Sequence, residues 1–91
     1  MSNEPEIIYS ERFRKQHKNL PEDIKKKSVK TVRLFLENVL HPSLRLHKLS
    51  GPLEGLWSIS IDKKYRITLR PLKNNMYLFI SIGTHAIYGK K

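Results

Sequence analysis

Residues 57–70 read W-S-I-S-I-D-K-K-Y-R-I-T-L-R. In the first half Trp57, Ile59 and Ile61 alternate with Ser58 and Ser60. In the second half Tyr65, Ile67 and Leu69 alternate with Arg66, Thr68 and Arg70. Successive strand side chains point to opposite faces, so each half is a strand with one apolar face. Asp62-Lys63-Lys64 is the turn between them, and so short a connection joins antiparallel strands. The apolar face of this hairpin has to be covered. The opposite face, with Ser58, Ser60, Arg66, Thr68 and Arg70, is expected to be a polar, cationic sheet surface.

Working outward, Pro71 through Asn75 forms a second turn, and Met76–Ile82 a third strand. There Met76, Leu78, Ile80 and Ile82 alternate with Tyr77, Phe79 and Ser81. Upstream, residues 41–56 carry two prolines and two glycines with little periodicity and read as a loop. Before the loop comes an apolar stripe of Ile24, Val29, Val32, Leu36 and Val39, with Phe35 and Leu40 beside it. This is the pattern of an amphipathic helix. Asn19 with Glu22 resembles its capping box, and Pro42 ends it. A shorter helix with Phe13, His17 and Leu20 on one face precedes it, with Ser10 as the N-cap. Ile7-Ile8-Tyr9 opens the chain as a strand. The order is β-α-α-β-β-β. We therefore expect one α+β domain over 1–91, a largely antiparallel sheet with a two-helix hairpin on one face.

The chain has 91 residues, a net charge of +10 and no cysteine. The missing cysteines exclude a disulfide framework, a thiolate zinc site and a cysteine nucleophile. No apolar run reaches membrane-spanning length, and the first residues lack a signal-peptide pattern, so a cytoplasmic protein is expected. The charge is uneven: nine of the 18 cations follow Glu37, against only Glu54 and Asp62. So cationic a C-terminal half points to phosphate-bearing or acidic partners.

No glycine-rich phosphate loop, H-E-x-x-H or G-x-S-x-G motif occurs. The scarcity of carboxylates after Glu37 argues against a two-metal nuclease, so neither metal nor cofactor is expected. Metal-free RNA cleavage needs a base for the 2′-hydroxyl, an acid for the leaving 5′-oxygen and a cation for the charge on phosphorus. Histidine titrates near working pH and suits the first two tasks, and arginine suits the third. The candidates are His47 in the basic loop, Arg66 on the polar face, and His85 with Tyr88 after the last strand. His41 precedes a helix-ending proline and His17 lies on a helix core face, so both are set aside.

The run G-P-L-E-G-L-W-S-I-S-I-D-K-K-Y-R-I-T-L (51–69), followed by I-G-T-H-A-I-Y (82–88), resembles the RelE/ParE superfamily of type II toxin–antitoxin toxins. Within it the YafQ-like and RelE-like messenger-RNA interferases are most similar. The resemblance implies a RelE-like fold, entry into the 30S ribosomal A site, cleavage of messenger RNA and neutralisation by an acidic antitoxin. Contact with DNA would be only indirect, through the antitoxin complex. It also implies Arg66 as transition-state stabiliser, His85 as acid or base, His47 as its loop counterpart and Tyr88 for stacking or proton transfer. Arg45, Lys48, Lys63, Lys64, Arg70, Lys90 and Lys91 are the expected RNA-contacting cations. Ser58 and Ser60 stand where RelE has catalytic lysines, and Ser60 where YafQ-like enzymes add a histidine, so a lysine mechanism is not expected. Tyr88 follows His85 by three residues where many relatives have four. Two further readings share the fold: a ParE-like poison of DNA gyrase, and a degenerate toxin kept for antitoxin binding and repression.

Overall fold

The alternation in 57–70 becomes a hairpin of β3 (Trp57–Ser60) and β4 (Arg66–Pro71) in a computed structural model that describes residues 4–84. Around it lie β1 (Glu6–Tyr9), α1 (Glu11–Lys18), α2 (Glu22–Glu37), β2 (His47–Lys48) and β5 (Met76–Gly83). The five strands form one sheet in the order β1-β5-β4-β3-β2, with β1 parallel to β5 and the other pairs antiparallel. The expected α+β class with a largely antiparallel sheet is the one observed. Residues 41–56 hold more structure than a loop: β2 adds an edge strand between two 3₁₀ turns, Pro42–Leu44 and Gly51–Leu53. Leu44, from the first of these turns, is buried in the core.

That core joins Phe13 and Phe35 from the helices to Ile59, Ile67, Leu69, Phe79 and Ile82 from the sheet. Phe35 sits edge-on to Tyr77 and Phe79, at 4.9 and 5.2 Å between ring centroids. The alternation expected for β5 therefore holds only in part, because Tyr77 and Phe79, rather than Leu78 and Ile80, face the helices. The reason is a β-bulge. Thr68 pairs with Ser81 but Leu69 with Phe79, so Ile80 is an extra residue and the faces of β5 exchange across it. The start of α1 is fastened to this bulge. Ser10 donates its hydroxyl to the Ile80 carbonyl (2.6 Å) and its N–H to the Phe79 carbonyl (3.0 Å), while its Oγ accepts from the Phe13 N–H at 2.9 Å. Gln16 Oε1 accepts from the Ile82 N–H at 2.9 Å.

Three expectations for α2 need correction. The helix stops at Glu37, capped by Asn38, and Pro42 opens the next 3₁₀ turn instead of ending α2. Its N-cap is Pro21, with no side-chain cap, and Asn19 closes α1 instead. The residue before a proline is driven out of the helical region, so no helix can begin at Leu20. The buried face also runs through Ile24, Ser28, Thr31 and Phe35, leaving Val29 53% exposed and Leu40, beyond the helix end at Glu37, 73% exposed. Ser28 and Thr31 can be buried because each donates its hydroxyl within the helix, to the carbonyls of Lys25 and Lys27.

Candidate active site

Cross-strand register fixes what lies on the face away from the helices. His47 pairs with Ser58, Ser58 with Thr68, and Thr68 with Ser81, so these four form one row across β2-β3-β4-β5. Ser60, Arg66 and Gly83 form the neighbouring row. His47 and Arg66 thus share a face, about 10 Å apart across two strand spacings and about 7 Å along the strands. Both are presented to a ligand lying across that face. The face is less open than its polarity suggests. Ser58, Thr68 and Ser81 are only 0, 3 and 3% exposed, short side chains in the middle strands that lie below the surface. The accessible groups are exposed His47, half-exposed Arg66 and exposed Arg70.

His47 is oriented by its own loop. Its Nδ1 lies 3.0 Å from the Arg45 carbonyl, and a carbonyl can only accept, so Nδ1 carries the proton. The neutral ring then keeps its lone pair on Nε2, which engages no described residue. Arg45, at the end of the first 3₁₀ turn, has a left-handed backbone (φ 51°), which turns the chain into β2. Arg66 forms no ion pair with any described residue, and its buried Nε has no hydrogen-bond partner among them. A guanidinium held without a carboxylate is available to an external anion.

The other expected cations divide. Lys48 pairs with Trp57, on the helix-side face, and its Nζ sits over the indole at 5.5 Å, away from Arg66. Lys63 and Lys64 are exposed in the β3–β4 turn. That turn is built on Asp62, whose Oδ1 accepts from the N–H groups of Lys64 (2.9 Å) and Tyr65 (2.8 Å). Burial pushes the Asp62 carboxyl up, but these two bonds and Lys27 Nζ at 3.5 Å outweigh it and hold it below its usual value. His85, Tyr88, Lys90 and Lys91 lie outside the described residues. His17, set aside from the sequence, is spoken for: its Nε2 lies 2.9 Å from Ser28 Oγ, whose own hydrogen goes to Lys25. A groove of about 470 Å³ lined by Tyr9, Phe13, Arg14, His17, Ser28, Val29 and Val32 belongs to the helical side and contains none of the candidates. Nothing in its residue type or spacing singles out Thr68, yet its buried hydroxyl has no partner among the described residues.

No protein-family model matches the sequence, and no curated protein does. Solved structures do. YafQ from E. coli strain BL21(DE3) superposes with a TM-score of 0.77 at 20% identity, over 94% of this chain and 99% of that one. YafQ in the E. coli DinJ–YafQ toxin–antitoxin complex gives 0.75 at 21%, over 96% and 99%. The YoeB/ParE toxin from Agrobacterium tumefaciens gives 0.73 at 14%, over 88% and 98%. Identities this low establish a shared fold. The RelE-like architecture expected from residues 51–69 and 82–88 is the one the chain has.

Proposed function

We propose that this chain is a single-domain cytoplasmic toxin of a type II toxin–antitoxin pair, a member of the RelE/ParE superfamily acting as a ribosome-dependent messenger-RNA endoribonuclease. The observation that carries the reading is the pair His47 and Arg66 on one sheet face. One has a fixed tautomer and an unengaged Nε2; the other has no carboxylate partner among the described residues. In the proposed reaction a base removes the proton of the RNA 2′-hydroxyl, and the oxygen attacks the adjacent phosphorus. The bond to the 5′-oxygen breaks as an acid protonates it, leaving a 2′,3′-cyclic phosphate. His47 serves as one proton-transfer group and Arg66 faces the charge building on the non-bridging oxygens. The second proton-transfer role falls to His85, with Tyr88 for stacking, on the sequence resemblance alone. No metal enters the scheme. Binding in the 30S A site would supply orientation for in-line attack.

A toxin with a net charge of +10 calls for an acidic partner. The DinJ–YafQ pair, of the same fold, is a toxin held by an antitoxin, which supports a cognate antitoxin here. The test is induction of the wild type and of His47→Ala and Arg66→Ala from a tight promoter, with mapping of messenger-RNA 5′ ends. Codon-phased cuts in translated frames that vanish in both variants are expected. Intact messages, with growth arrest unaffected by either substitution, would sink the nuclease reading and leave the gyrase-poisoning one.

A further inference from the structure

Arg66 Nε and Thr68 Oγ1 are the only buried side-chain polar atoms among the described residues without a hydrogen-bond partner. They are two residues apart on the same strand, so both rise from one face of β4. Their Cα atoms stand about 7 Å apart along the strand. Orphans of this kind are rare, since each forfeits the solvation it had in the unfolded chain. Two side by side, on the face that also carries His47, are not scattered defects. The helix-side hydroxyls make the contrast, because Ser28 and Thr31, equally buried, both donate internally.

From this geometry we infer that the Arg66 Nε–H and the Thr68 hydroxyl form a preformed two-donor receptor for a tetrahedral oxyanion, a phosphate group of the substrate. Resting on the nuclease reading, it adds Thr68 as a binding residue. Both groups donate, one carries a full charge, and neither has a carboxylate to satisfy it. Two charge-assisted bonds of about 2.8 Å to different oxygens of one anion can join side chains two residues apart on one strand face. Sheltered donors act on an anion more strongly than exposed ones, because little water competes. Both donor atoms are covered, and partly exposed Arg66 is the side chain at the solvent edge past which an anion would reach them. Thr68 then holds one non-bridging oxygen while Arg66 takes another, which keeps the phosphorus on the face whose Thr68 row ends in His47.

The probe is inorganic phosphate, titrated into the full chain at low salt while the Arg66 Nε–H resonance is followed by NMR. That resonance should shift saturably. Thr68→Val, which keeps the shape and removes the hydroxyl, should weaken phosphate about tenfold, and Thr68→Ser should restore it. Thermal stability of Thr68→Val should be equal to or above wild type, because an unpartnered hydroxyl has been replaced by a methyl. Unchanged affinity in Thr68→Val would overturn the receptor, as would a Thr68→Ser protein as weak as the valine form. Message mapping separates this from the parent reading. Phosphate binding by the pair in a protein that cuts no RNA leaves the receptor standing and removes the nuclease. Cleavage with no shift at Arg66 does the reverse.

Discussion

The two faces of the sheet solve opposite problems. Toward the helices, Ile59, Ile67, Leu69, Phe79 and Ile82 meet Phe13 and Phe35, and the hydroxyls buried in α2 at Ser28 and Thr31 donate to helix carbonyls. On the far face the same strands bury Thr68 and the Nε of Arg66 without partners among the described residues. The first face contributes stability. The second forgoes some of it, and an arrangement that costs folding energy without return in the free protein is where a ligand is expected. Substitutions should therefore separate the faces cleanly.

The largest expected effect is on the helix side. Phe35→Ala removes a fully buried ring that contacts Tyr77 and Phe79, and should cost about 3–5 kcal/mol in urea denaturation. A cost below about 1 kcal/mol would mean that this face is not the core of stability. Next comes Arg66→Ala on the far face. Its RNA-cleaving rate should fall about 10²–10³-fold, as for loss of one transition-state donor. Its unfolding free energy should stay within about 0.5 kcal/mol of wild type. A variant that lost both activity and stability would erase the distinction between the faces.

Ser10→Ala probes the point where the faces of β5 exchange. It removes an N-cap bond and leaves the Ile80 carbonyl without its donor, for an expected loss of about 1–2 kcal/mol. Hydrogen exchange at the Phe13 amide and along α1 should accelerate. If exchange rose in β3 instead, the bulge would not depend on Ser10.

This bulge also marks how far the sequence could be followed. The alternation from Trp57 to Leu69 reads unambiguously because only one face of each strand is apolar. In 76–82 both faces carry large apolar side chains, so the pattern fits either register, and the extra residue at Ile80 is held by Ser10, some seventy positions away. Ser28 and Thr31 had no place in the apolar stripe, because their burial depends on hydroxyls satisfied inside the helix, which periodicity does not record. Pro21 was legible and outranked the apparent cap at Asn19, since the constraint on the preceding residue is steric. For the site, His47 and Arg66 could be chosen by chemistry, but their shared face required the pairing of a two-residue strand. Lys48 shows the same dependence, as its place beside His47 in sequence puts it on the other face in space.

The smallest effect lies at the β3–β4 turn, where Lys27 from α2 reaches across to Asp62 and ties the helix side to the turn that displays Lys63 and Lys64. Asp62 titrates below its ordinary value of 3.8 in the folded chain. A depressed folded value means that the ionised carboxylate contributes stability in full above the ordinary carboxylate range. This contribution fades as pH falls from about 4 through the lowered value. Asp62→Asn keeps an oxygen for the two turn N–H groups and removes only the charge. Because Lys27 is half-exposed, the charge should be worth no more than about 0.5 kcal/mol near pH 7. Urea midpoints of the two proteins should therefore differ slightly at pH 7 and converge in acid. A gap that persisted below the folded titration would assign the difference to turn geometry, and the tie between the two faces would not be electrostatic.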